Sequence, residues 1–592
     1  MRAFLALTLA PHAASRCRPT QAVLACLTDE DTVVERVDDG TDGWVAFAGS
    51  DDEDILGAPG ESFTVRLSRL LRTRENEPAT ADIPAMITDS SSLVTLLPPF
   101  AAAHRHPSSD TVTVVNDWLG YRQLFWWRGD GAAAVSTSAR ALAVLAGAGF
   151  DAAGLGAQAM IGWQIGDQTI FEGIRAFPPA TIARLAGGSI QLRQYVDRLS
   201  QDGPVPSLDD AVDEMASILV RWHTNYMELH PNTMLQLTGG NDSRINLGAI
   251  PQRLRSGLPT LTVGDPVSPD VVIAAGLSTK YGMRHETYQP DEIAPTPAGA
   301  HAVSLAAARA LECLASPMAL APLLLVEARI EQGHRLSGMG GEVARGFYYP
   351  GQPTEAETSP RLVKRLADWR IQANEAVEEP ALDRAFLAEA RANTLATLVD
   401  LFAPGDWLRA TDDFYLYQRM YRWSGATDTV AAVRRYVVNP MLDRRFIELA
   451  LAVAPADKRG SLLLGRLMSR LDPELAQIPL DSGLVPARLG RRDIGSKLSI
   501  ATVTARQLRR KARQRLLHTR RPQLGAAGMA DLVVRYWRAN PSACRALYDV
   551  PMLDRQWLDG LVAGTKSAAP TTVAFLINLL AMLDPAPVPV GD

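Results

Sequence analysis

Cysteine is scarce in this chain, which carries four in 592 residues: Cys17, Cys26, Cys313 and Cys544. No two of them have the Cys-x-x-Cys spacing. The pattern therefore indicates neither a zinc site nor a disulfide framework. Because a reducing compartment favours few and scattered thiols, we predict a cytoplasmic protein.

Long hydrophobic runs are also missing. No segment reaches the roughly 20 apolar residues of a membrane span. The closest, Val573 to Leu583, is interrupted by Asn578. The apolar run Met1 to Ala10 is short and ends at Pro11, so it predicts a first β-strand better than a signal peptide. We expect no membrane partner.

Neither sign of charge is in large excess, since 60 lysines and arginines face 65 acidic residues for a net charge of −5. Overall charge thus gives no support to a nucleic-acid partner. A hydrophobic share of 47% and a length of 592 residues are typical of a globular chain with two or more domains. The one strongly basic stretch, Arg488 to Arg521, is interpreted as a solvated helix or loop, with a surface for an acidic or peptide partner as the alternative.

Residues 1 to about 200 are rich in strand patterns. Thr111 to Val115 is β-branched and predicts a strand, Asn116 to Gly120 a turn, and Gln123 to Trp127 the returning strand of a hairpin. After a Gly-Asp-Gly turn, Ala132 to Ser136 predicts another strand. A polar, proline-bearing segment, Arg198 to Ser207, is the predicted linker to a second domain.

The chemistry is organised around Thr233 to Arg244, which reads TMLQLTGGNDSR. Its pattern predicts a buried strand, a glycine turn and a helix start, an arrangement whose backbone N–H groups bind phosphate. A carboxylate beside phosphates is repelled unless a divalent cation lies between them, so Asp242 is a candidate magnesium ligand. The alternative is an ordinary turn in which Asp242 and Ser243 cap the helix.

Strands and helices alternate from there on. A capping box at Ser207 predicts a helix through about Met227, Pro259 to Asp265 a strand, and Asp270 to Tyr281 a helix. Further helices are predicted from Asp383 to about Phe402 and from Asp412 to Trp423. Such alternation indicates a parallel sheet with helices on both faces and a ligand at the carboxyl ends of its strands.

Two glycine-rich stretches resemble sequence motifs of known enzyme families. The first, Thr238-Gly-Gly-Asn-Asp-Ser243, resembles the SGGxDS pyrophosphate loop of the ATP pyrophosphatases, with threonine keeping the hydroxyl. The second, Ser337-Gly-Met-Gly-Gly-Glu342, followed by Gly346 and Tyr348, resembles the SGxGxDExxGGY segment of the asparagine synthetases. By this resemblance Glu342 joins Asp242 on magnesium. Met339 and Val343 replace acidic or catalytic positions, so no acid–base role transfers.

A third resemblance lies in the first 200 residues. Asp117-Trp-Leu-Gly-Tyr-Arg-Gln-Leu-Phe125 and Thr169-Ile-Phe-Glu-Gly-Ile174 follow the order seen in the glutamine amidotransferase domain of the asparagine synthetases. Active members carry cysteine directly after the initiator methionine, where its α-amino group serves as the base. Arg2 stands there in this chain, so ammonia from glutamine is not the expected nucleophile.

The resemblance also assigns nucleotide and leaving-group contacts. Adenosine would be framed by Leu237, Val263 and Gly264, and Lys497 would neutralise departing pyrophosphate, with Arg488, Arg491 and Arg492 as competitors. The segment Arg434 to Phe446, which includes Pro440 and Asp443, is interpreted as packing, and His285 and His334 as structural. The remaining nucleotide-binding residues would be Thr238, Gly239, Gly240, Asp242, Ser243, Ser337 and Gly338.

These observations predict a two-domain α/β protein. Residues 1–200 would form a β-rich sandwich, a degenerate glutaminase-like domain of the Ntn type. Residues 201–592 would form a parallel-sheet α/β ATP pyrophosphatase domain of the adenine nucleotide α-hydrolase type, with helical additions.

The expected activity is ATP- and Mg²⁺-dependent amide bond formation through an acyl-adenylate. Without the glutaminase cysteine, the chain resembles the lasso peptide cyclases and the β-lactam synthetases, which use an amine already on the substrate. We rank the lasso cyclase first. It would act on a precursor peptide, with a leader-binding protein and a leader peptidase as partners. The alternatives are a β-lactam or asparagine synthetase and a non-catalytic scaffold.

Overall fold

The computed structural model describes most of the chain. The described residues are 3–13, 19–27, 34–40, 43–48, 54–57, 62–106, 111–199, 205–290, 295–372, 375–491 and 525–583, with short pieces between 493 and 509. Among them, no helix has both the length and the apolar character needed to cross a bilayer.

The strands of these residues form two antiparallel sheets and one parallel sheet. The antiparallel orders are β10-β8-β9-β1-β3-β2 and β12-β11-β7-β6-β5-β4, and the parallel order is β15-β14-β13-β16-β17. The strands are β1 Ala3–Leu9, β2 Val34–Gly40, β3 Gly43–Ala48, β4 Ile55–Gly57, β5 Phe63–Arg66, β6 Ala101–His106, β7 Thr111–Asn116, β8 Phe125–Gly129, β9 Ala132–Ser136, β10 Arg175–Ala176, β11 Thr181–Ala186, β12 Ser189–Gln194, β13 Met234–Gln236, β14 Pro259–Val263, β15 Arg284–Tyr288, β16 His334–Leu336 and β17 Tyr436–Val438.

Most helices lie in the second half of the chain, together with the parallel sheet. A few lie in the first half, beside the antiparallel sheets. Their bounds are Gln21–Ala25, Ile83–Thr88, Ala139–Ala146, Ala152–Ile161, Leu208–Leu229, Asn241–Ala249, Pro269–Tyr281, Pro297–Ala310, Pro317–Glu327, Pro360–Leu366, Arg384–Leu401, Trp407–Phe414, Gly425–Arg434, Arg444–Ala452, Pro455–Lys458, Leu462–Leu471, Pro486–Leu489, Ala526–Ala539, Arg555–Val562 and Pro570–Leu583.

The two antiparallel sheets pack face to face. Side chains alternate across a strand, so Phe4 and Ala6 of β1 join a core with Val112 and Val114 of the other sheet. On the opposite face of β1, Leu5 and its odd-numbered neighbours pack on helices in the main core. A smaller core covers the outside of the second sheet. The first half is therefore the predicted sandwich, with helices on both sides.

The predicted hairpin at residues 111–127 is wrong. β7 and β8 lie in different sheets, so the segment between them crosses the sandwich. Asp117 holds this corner, since its buried carboxylate accepts the N–H groups of Leu119 and Tyr121 at 3.0 and 2.8 Å. It also accepts those of Phe100 and Arg122 at 3.0 and 2.9 Å. A glycine-containing turn between two strand patterns has the same sequence appearance in both cases.

The parallel sheet reverses its winding direction once. From β13 the chain adds β14 and then β15 on one side, and afterwards β16 and then β17 on the other. The connection that leaves β13 and the connection that leaves β16 therefore run in opposite directions. A crevice opens between the carboxyl ends of these two strands. Ligands of open parallel sheets bind at such a switch point.

Most predicted helices are present close to their expected bounds. Ser207 caps the Leu208–Leu229 helix by accepting the N–H of Asp210 at 3.1 Å. Asp383 caps Arg384–Leu401 in the same way. The helix predicted from Asp412 differs in detail, because an α-helix at Trp407–Phe414 continues as a π-helix through Tyr415–Ser424.

The two halves of the chain share packing and hydrogen bonds. Gly156 lies against Ala390, where an added Cβ would be 3.2 Å from the Ala390 Cα. Gln123 donates to the carbonyl of Tyr421 at 2.6 Å, and the Tyr421 hydroxyl donates to the carbonyl of Phe177 at 2.8 Å. Residues 200–204 of the predicted linker lie outside the described residues, and the boundary at 200 stays a prediction.

The Asp117 corner gives the first test. Asp117→Ala leaves four buried N–H groups without their acceptor, and we expect it to lower the free energy of unfolding by about 4 kcal/mol. Urea unfolding followed by circular dichroism measures the loss. Asp89→Ala, at an exposed turn where Asp89 accepts from Ser91, is the matched control. If the two variants are equally stable, the Asp117 carboxylate does not stabilise this corner.

Candidate functional site

The two glycine stretches meet at the switch point of the parallel sheet. Leu237 follows β13, and its N–H donates to the carbonyl of Leu261 at 2.9 Å. Ser337 follows β16, and its N–H donates to Val438 at 2.9 Å. Val263 and Gly264, at the end of β14, lie along the same edge. The structure thus brings the residues expected around the nucleotide to one edge of the sheet.

The first loop is closed by hydroxyl groups. Ser243 Oγ accepts the N–H of Thr238 at 3.0 Å and lies 2.9 Å from Thr238 Oγ1. Thr238 Oγ1 accepts the N–H of Gly240 at 3.1 Å. Gly240 is the N-cap of the Asn241–Ala249 helix and supplies no side-chain cap. The alternative in which Asp242 and Ser243 cap the helix is therefore wrong, because Ser243 is used inside the loop.

Gly239 is the tightest point of this loop. Its N–H donates to Asp270 Oδ1 at 2.9 Å, and its carbonyl accepts the N–H of Asp481 at 3.0 Å. A Cβ on Gly239 would lie 3.1 Å from the Cβ of Asp481 and 3.1 Å from Ile273 Cδ1. A side chain at this position would crowd Asp481 and Ile273, and phosphate binding by the loop stays a prediction.

The second loop stacks directly on the first. Asn246 donates from Nδ2 to the carbonyl of Ser337 at 2.8 Å. A Cβ on Gly338 would lie 2.9 Å from the Ser243 nitrogen, and one on Gly341 only 2.4 Å from Asp242 Oδ1. The glycines of the second stretch therefore make room for the backbone and the carboxylate of the first.

Asp242 and Glu342 both face the guanidinium group of Arg345. Arg345 Nη2 lies 3.5 Å from Asp242 Oδ2 and 3.7 Å from Glu342 Oε1. The two carboxylates are 18% and 17% exposed, so they lie in a crevice. Glu342 Oε2 also accepts the N–H of Gly340 at 3.2 Å. Asp242 Oδ1 is buried and has no hydrogen-bond partner, which is costly for a carboxylate oxygen.

The electrostatics of the crevice follow from this geometry. Burial raises the pKa of Asp242 to about 7, Arg345 lowers it and Glu342 raises it. For Arg345, burial lowers the pKa, but the two carboxylates outweigh burial and the pKa is raised. The site thus holds a carboxylate whose charge is stabilised only by a neighbouring cation.

These residues fit a magnesium ion. Mg²⁺ is commonly held by one or two carboxylates together with substrate phosphates. Asp242, with its unpartnered Oδ1, and Glu342 supply such a pair, and the phosphate-loop backbone adjoins them. Within the described residues, no group of three or more His, Cys, Asp or Glu side chains is arranged to hold a metal on its own. A metal here would need the substrate to complete its ligands.

Other predicted residues are placed differently. Lys497 and Arg492 lie outside the described residues, so the cation for pyrophosphate stays a prediction. His285 Nε2 bonds Thr262 Oγ1 at 2.9 Å, and His334 Nδ1 bonds the Tyr226 hydroxyl at 2.6 Å. Both contacts give the histidines structural roles.

The segment Arg434 to Phe446 packs beneath the second loop. A Cβ on Gly340 would lie 2.9 Å from Leu442 Cδ2 and 2.9 Å from the Met441 carbonyl carbon. Asp443 caps the next helix and accepts from the indole of Trp222 at 3.0 Å. This is the packing role that the sequence indicates.

Sequence reasoning missed two members of the site. Arg345 bridges the carboxylates, and the signal for it was its spacing of three residues from Glu342. Asp270 Oδ1 accepts the N–H of Gly239, whereas the sequence predicts Asp270 only as the start of a helix. Nothing in its spacing to Gly239 indicates this contact.

Comparisons with known proteins add little. No protein-family model matches the chain, and no curated protein sequence matches it. Among solved structures, the chain is similar to the allosteric regulatory enzyme of purine biosynthesis at 9% identity, with a TM-score of 0.21. The alignment covers 48% of this chain and 80% of the other. A likeness this low says nothing about the reaction.

The contact between the loops gives a second test. Gly341→Ala puts a methyl group where Asp242 Oδ1 lies, so we expect Mg²⁺-dependent affinity for α,β-methylene-ATP to fall roughly tenfold, about 1.4 kcal/mol. Isothermal titration calorimetry measures it. Gly276→Ala is the control, because its Cβ would have nothing within 4 Å. Wild-type affinity in Gly341→Ala would contradict the assignment of Asp242 to the ligand site.

Proposed function

We propose that this protein is an ATP- and Mg²⁺-dependent ligase that forms an amide bond through an acyl-adenylate. One observation carries the proposal. Asp242 and Glu342, from loops about 100 residues apart in sequence, converge on a single guanidinium at the switch point of the parallel sheet. Paired carboxylates next to a glycine loop fit a Mg²⁺–nucleotide complex.

The proposed reaction has two steps. A substrate carboxylate oxygen attacks the α-phosphorus of ATP, and the bond to pyrophosphate breaks. An amine nitrogen then attacks the acyl carbon, the bond to AMP breaks, and the amine loses a proton. When bound, Mg²⁺ would neutralise phosphate charge. Asp242 and Glu342 would hold the ion beside the loop Thr238 to Gly240, whose N–H groups already donate to Ser243, Asp270 and Thr238.

The amine is proposed to belong to the substrate itself. Arg2 stands where glutaminases of the resembling family have their cysteine, so ammonia from glutamine is not the proposed nucleophile. This supports a macrolactam-forming enzyme of the lasso cyclase kind that acts on a precursor peptide, with a leader-binding protein and a leader peptidase as partners. A β-lactam or asparagine synthetase would use the same first step with a small substrate.

One observation favours a non-catalytic alternative. Arg345 already bridges both carboxylates, and an ion triad of this kind can serve structure alone. In that case the fold would be a scaffold, and Asp242 would have no ligand beyond Arg345.

Pyrophosphate release tests the proposed function. In Asp242→Asn and Glu342→Gln we expect release from ATP, with candidate precursor peptides, to fall at least about 100-fold, since losing a metal contact costs several kcal/mol. Direct quantification of pyrophosphate by ³¹P NMR, with and without EDTA, measures it. Asp213→Asn, at an exposed ion pair with Arg470, should behave as wild type. Undiminished release in both site variants would contradict the proposal.

Arg345 separates the ligase from the scaffold. We expect Arg345→Gln to lower the free energy of unfolding by about 2 kcal/mol, because two carboxylates lose their shared cation. If Asp242 and Glu342 bind Mg²⁺ together with nucleotide, adding both ligands should raise the thermal unfolding midpoint of Arg345→Gln to that of the wild type. A midpoint that stays low at saturating Mg²⁺ and α,β-methylene-ATP would favour the scaffold.

A further inference from the structure

A small cavity lies between the helix Ala152–Ile161, beside the sandwich, and the helix Pro570–Leu583. The first helix contributes Gln158 to its wall, the second contributes Asn578, and the segment between them in sequence contributes Glu375. The volume open to the centre of a water-sized sphere is about 10 Å³, which is the space of one water molecule. The cavity therefore has room for a single small occupant.

Two buried amide side chains line this cavity. Gln158 and Asn578 are 3% and 2% exposed. Gln158 Nε2 donates to the carbonyl of Cys313 at 2.5 Å, and Asn578 Nδ2 donates to the carbonyl of Ala315 at 3.1 Å. Gln158 Oε1 and Asn578 Oδ1 are buried and accept no hydrogen bond from a described residue. Buried acceptors of this kind are rare and costly, so each calls for a partner.

The orientation of both amides is fixed by these contacts. A half-turn of either side chain would place its oxygen against a carbonyl oxygen of the segment from Cys313 to Ala315, where two acceptors repel each other. The amide oxygens are therefore the groups that these side chains have left for an occupant of the cavity.

Glu375 brings a negative charge to the same place. A Cβ on Gly162, which ends the helix Ala152–Ile161, would lie 2.9 Å from Glu375 Cβ and 3.2 Å from Glu375 Oε2. The carboxylate thus lies beside the C-terminus of a helix, where the helix dipole is also negative. Burial raises the pKa of Glu375, and the charge of Arg419 lowers it by less. The carboxylate would gain from a further positive charge.

Hydrogen bonds hold the walls of the cavity together. The N–H of Val377 donates to the carbonyl of Ala159 at 2.8 Å, which ties the segment after Glu375 to the first helix. Glu378 ties the same segment to the second helix, because its carboxylate accepts the hydroxyl of Thr572 at 3.0 Å. Glu375 is therefore fixed relative to both helices, and ligands held in this way keep their separation.

The oxygens around the cavity suit a monovalent cation. Carboxylate and amide carbonyl oxygens are hard ligands, and carbonyl oxygens can replace the hydration shell of K⁺. One carboxylate balances one positive charge. Ca²⁺ takes six to eight oxygen ligands and Mg²⁺ keeps several waters, so neither fits the space of one water molecule. K⁺ has about the radius of a water molecule, whereas Na⁺ and Li⁺ are smaller and would fill the cavity less well.

We propose that Gln158 Oε1, Asn578 Oδ1 and the carboxylate of Glu375 bind one K⁺ ion, which joins the helix beside the sandwich to the helix Pro570–Leu583. The ion neutralises the carboxylate and supplies both amide oxygens with a partner. Its binding therefore stabilises the packing of the two helices. The site shares no residue with the crevice of Asp242 and Glu342 and depends on no step of the proposed function.

Ion-dependent stability of the full chain tests this site. The thermal unfolding midpoint is measured from about 1 to about 100 mM KCl, with tetramethylammonium chloride holding the ionic strength constant, and again with NaCl and with LiCl. We expect K⁺ to raise the midpoint by about 2 °C with saturation, because a ligand of the folded state stabilises it. Na⁺ should raise it less, and Li⁺ should have little effect.

Three variants link the response to the proposed ligands. Glu375→Gln removes the charge and keeps the shape, and Asn578→Leu removes one oxygen, so we expect each to lose most of the K⁺-dependent rise. Glu379→Gln makes the same change as the first variant at an exposed ion pair with Arg391. This control should keep the full rise.

Rubidium, which resembles K⁺ in size and charge, shows the position of the ion. In crystals soaked with RbCl we expect one anomalous peak between the three side chains of the wild type and none in Glu375→Gln. If that variant does not fold, the wild-type peak decides. A cavity without a peak holds only water or a protonated carboxylate and overturns the site. A midpoint that rises equally in K⁺ and Li⁺, or equally in the wild type and Glu375→Gln, also overturns it.

Discussion

The position of the Asp242 carboxylate constrains the whole second half of the molecule. It lies at the contact between two loops that have no room for side chains, because a Cβ on Gly338 would meet the backbone at Ser243 and one on Gly341 would meet the carboxylate itself. Such a contact needs β13 and β16 in fixed register, with Leu235 opposite Leu336. A shift by one residue would move a glycine away from the carboxylate and replace it with a side chain.

The first half of the molecule contacts the irregular helix that carries Arg419. The π-helix Tyr415–Ser424 carries Arg419 and also contacts the sandwich, since the Tyr421 hydroxyl donates to Phe177 and the Tyr421 carbonyl accepts from Gln123. Arg422 of the same helix donates to the carbonyl of Gln168 at 2.6 Å. The sandwich therefore has a physical task, which is to hold this irregular helix in place.

Local patterns account for what the sequence predicts well. Ser207 and Asp383 are capping residues next to amphipathic segments, and the Gly-Gly turn after β13 has a fixed local geometry. The failures involve partners that are distant in sequence. The turn at Asp117 has the appearance of a hairpin because the partner strands of β7 and β8 are not local information. Phe347, Arg370 and Arg419 come together only because two segments form π-helical turns. No periodic pattern in the sequence predicts such turns.

Arg345 connects the stability of the site to its chemistry. Its guanidinium lies within 4.0 Å of both carboxylates and 6.0 Å from the Phe347 ring centre. Two buried carboxylates without a cation repel each other, so an internal counterion permits the loops to fold before any ligand binds. A metal that bound these carboxylates would take over that role and would weaken their hold on Arg345. On its other side the guanidinium faces the ring of Phe347, so one arginine joins the carboxylate pair to the aromatic residues of the same loop.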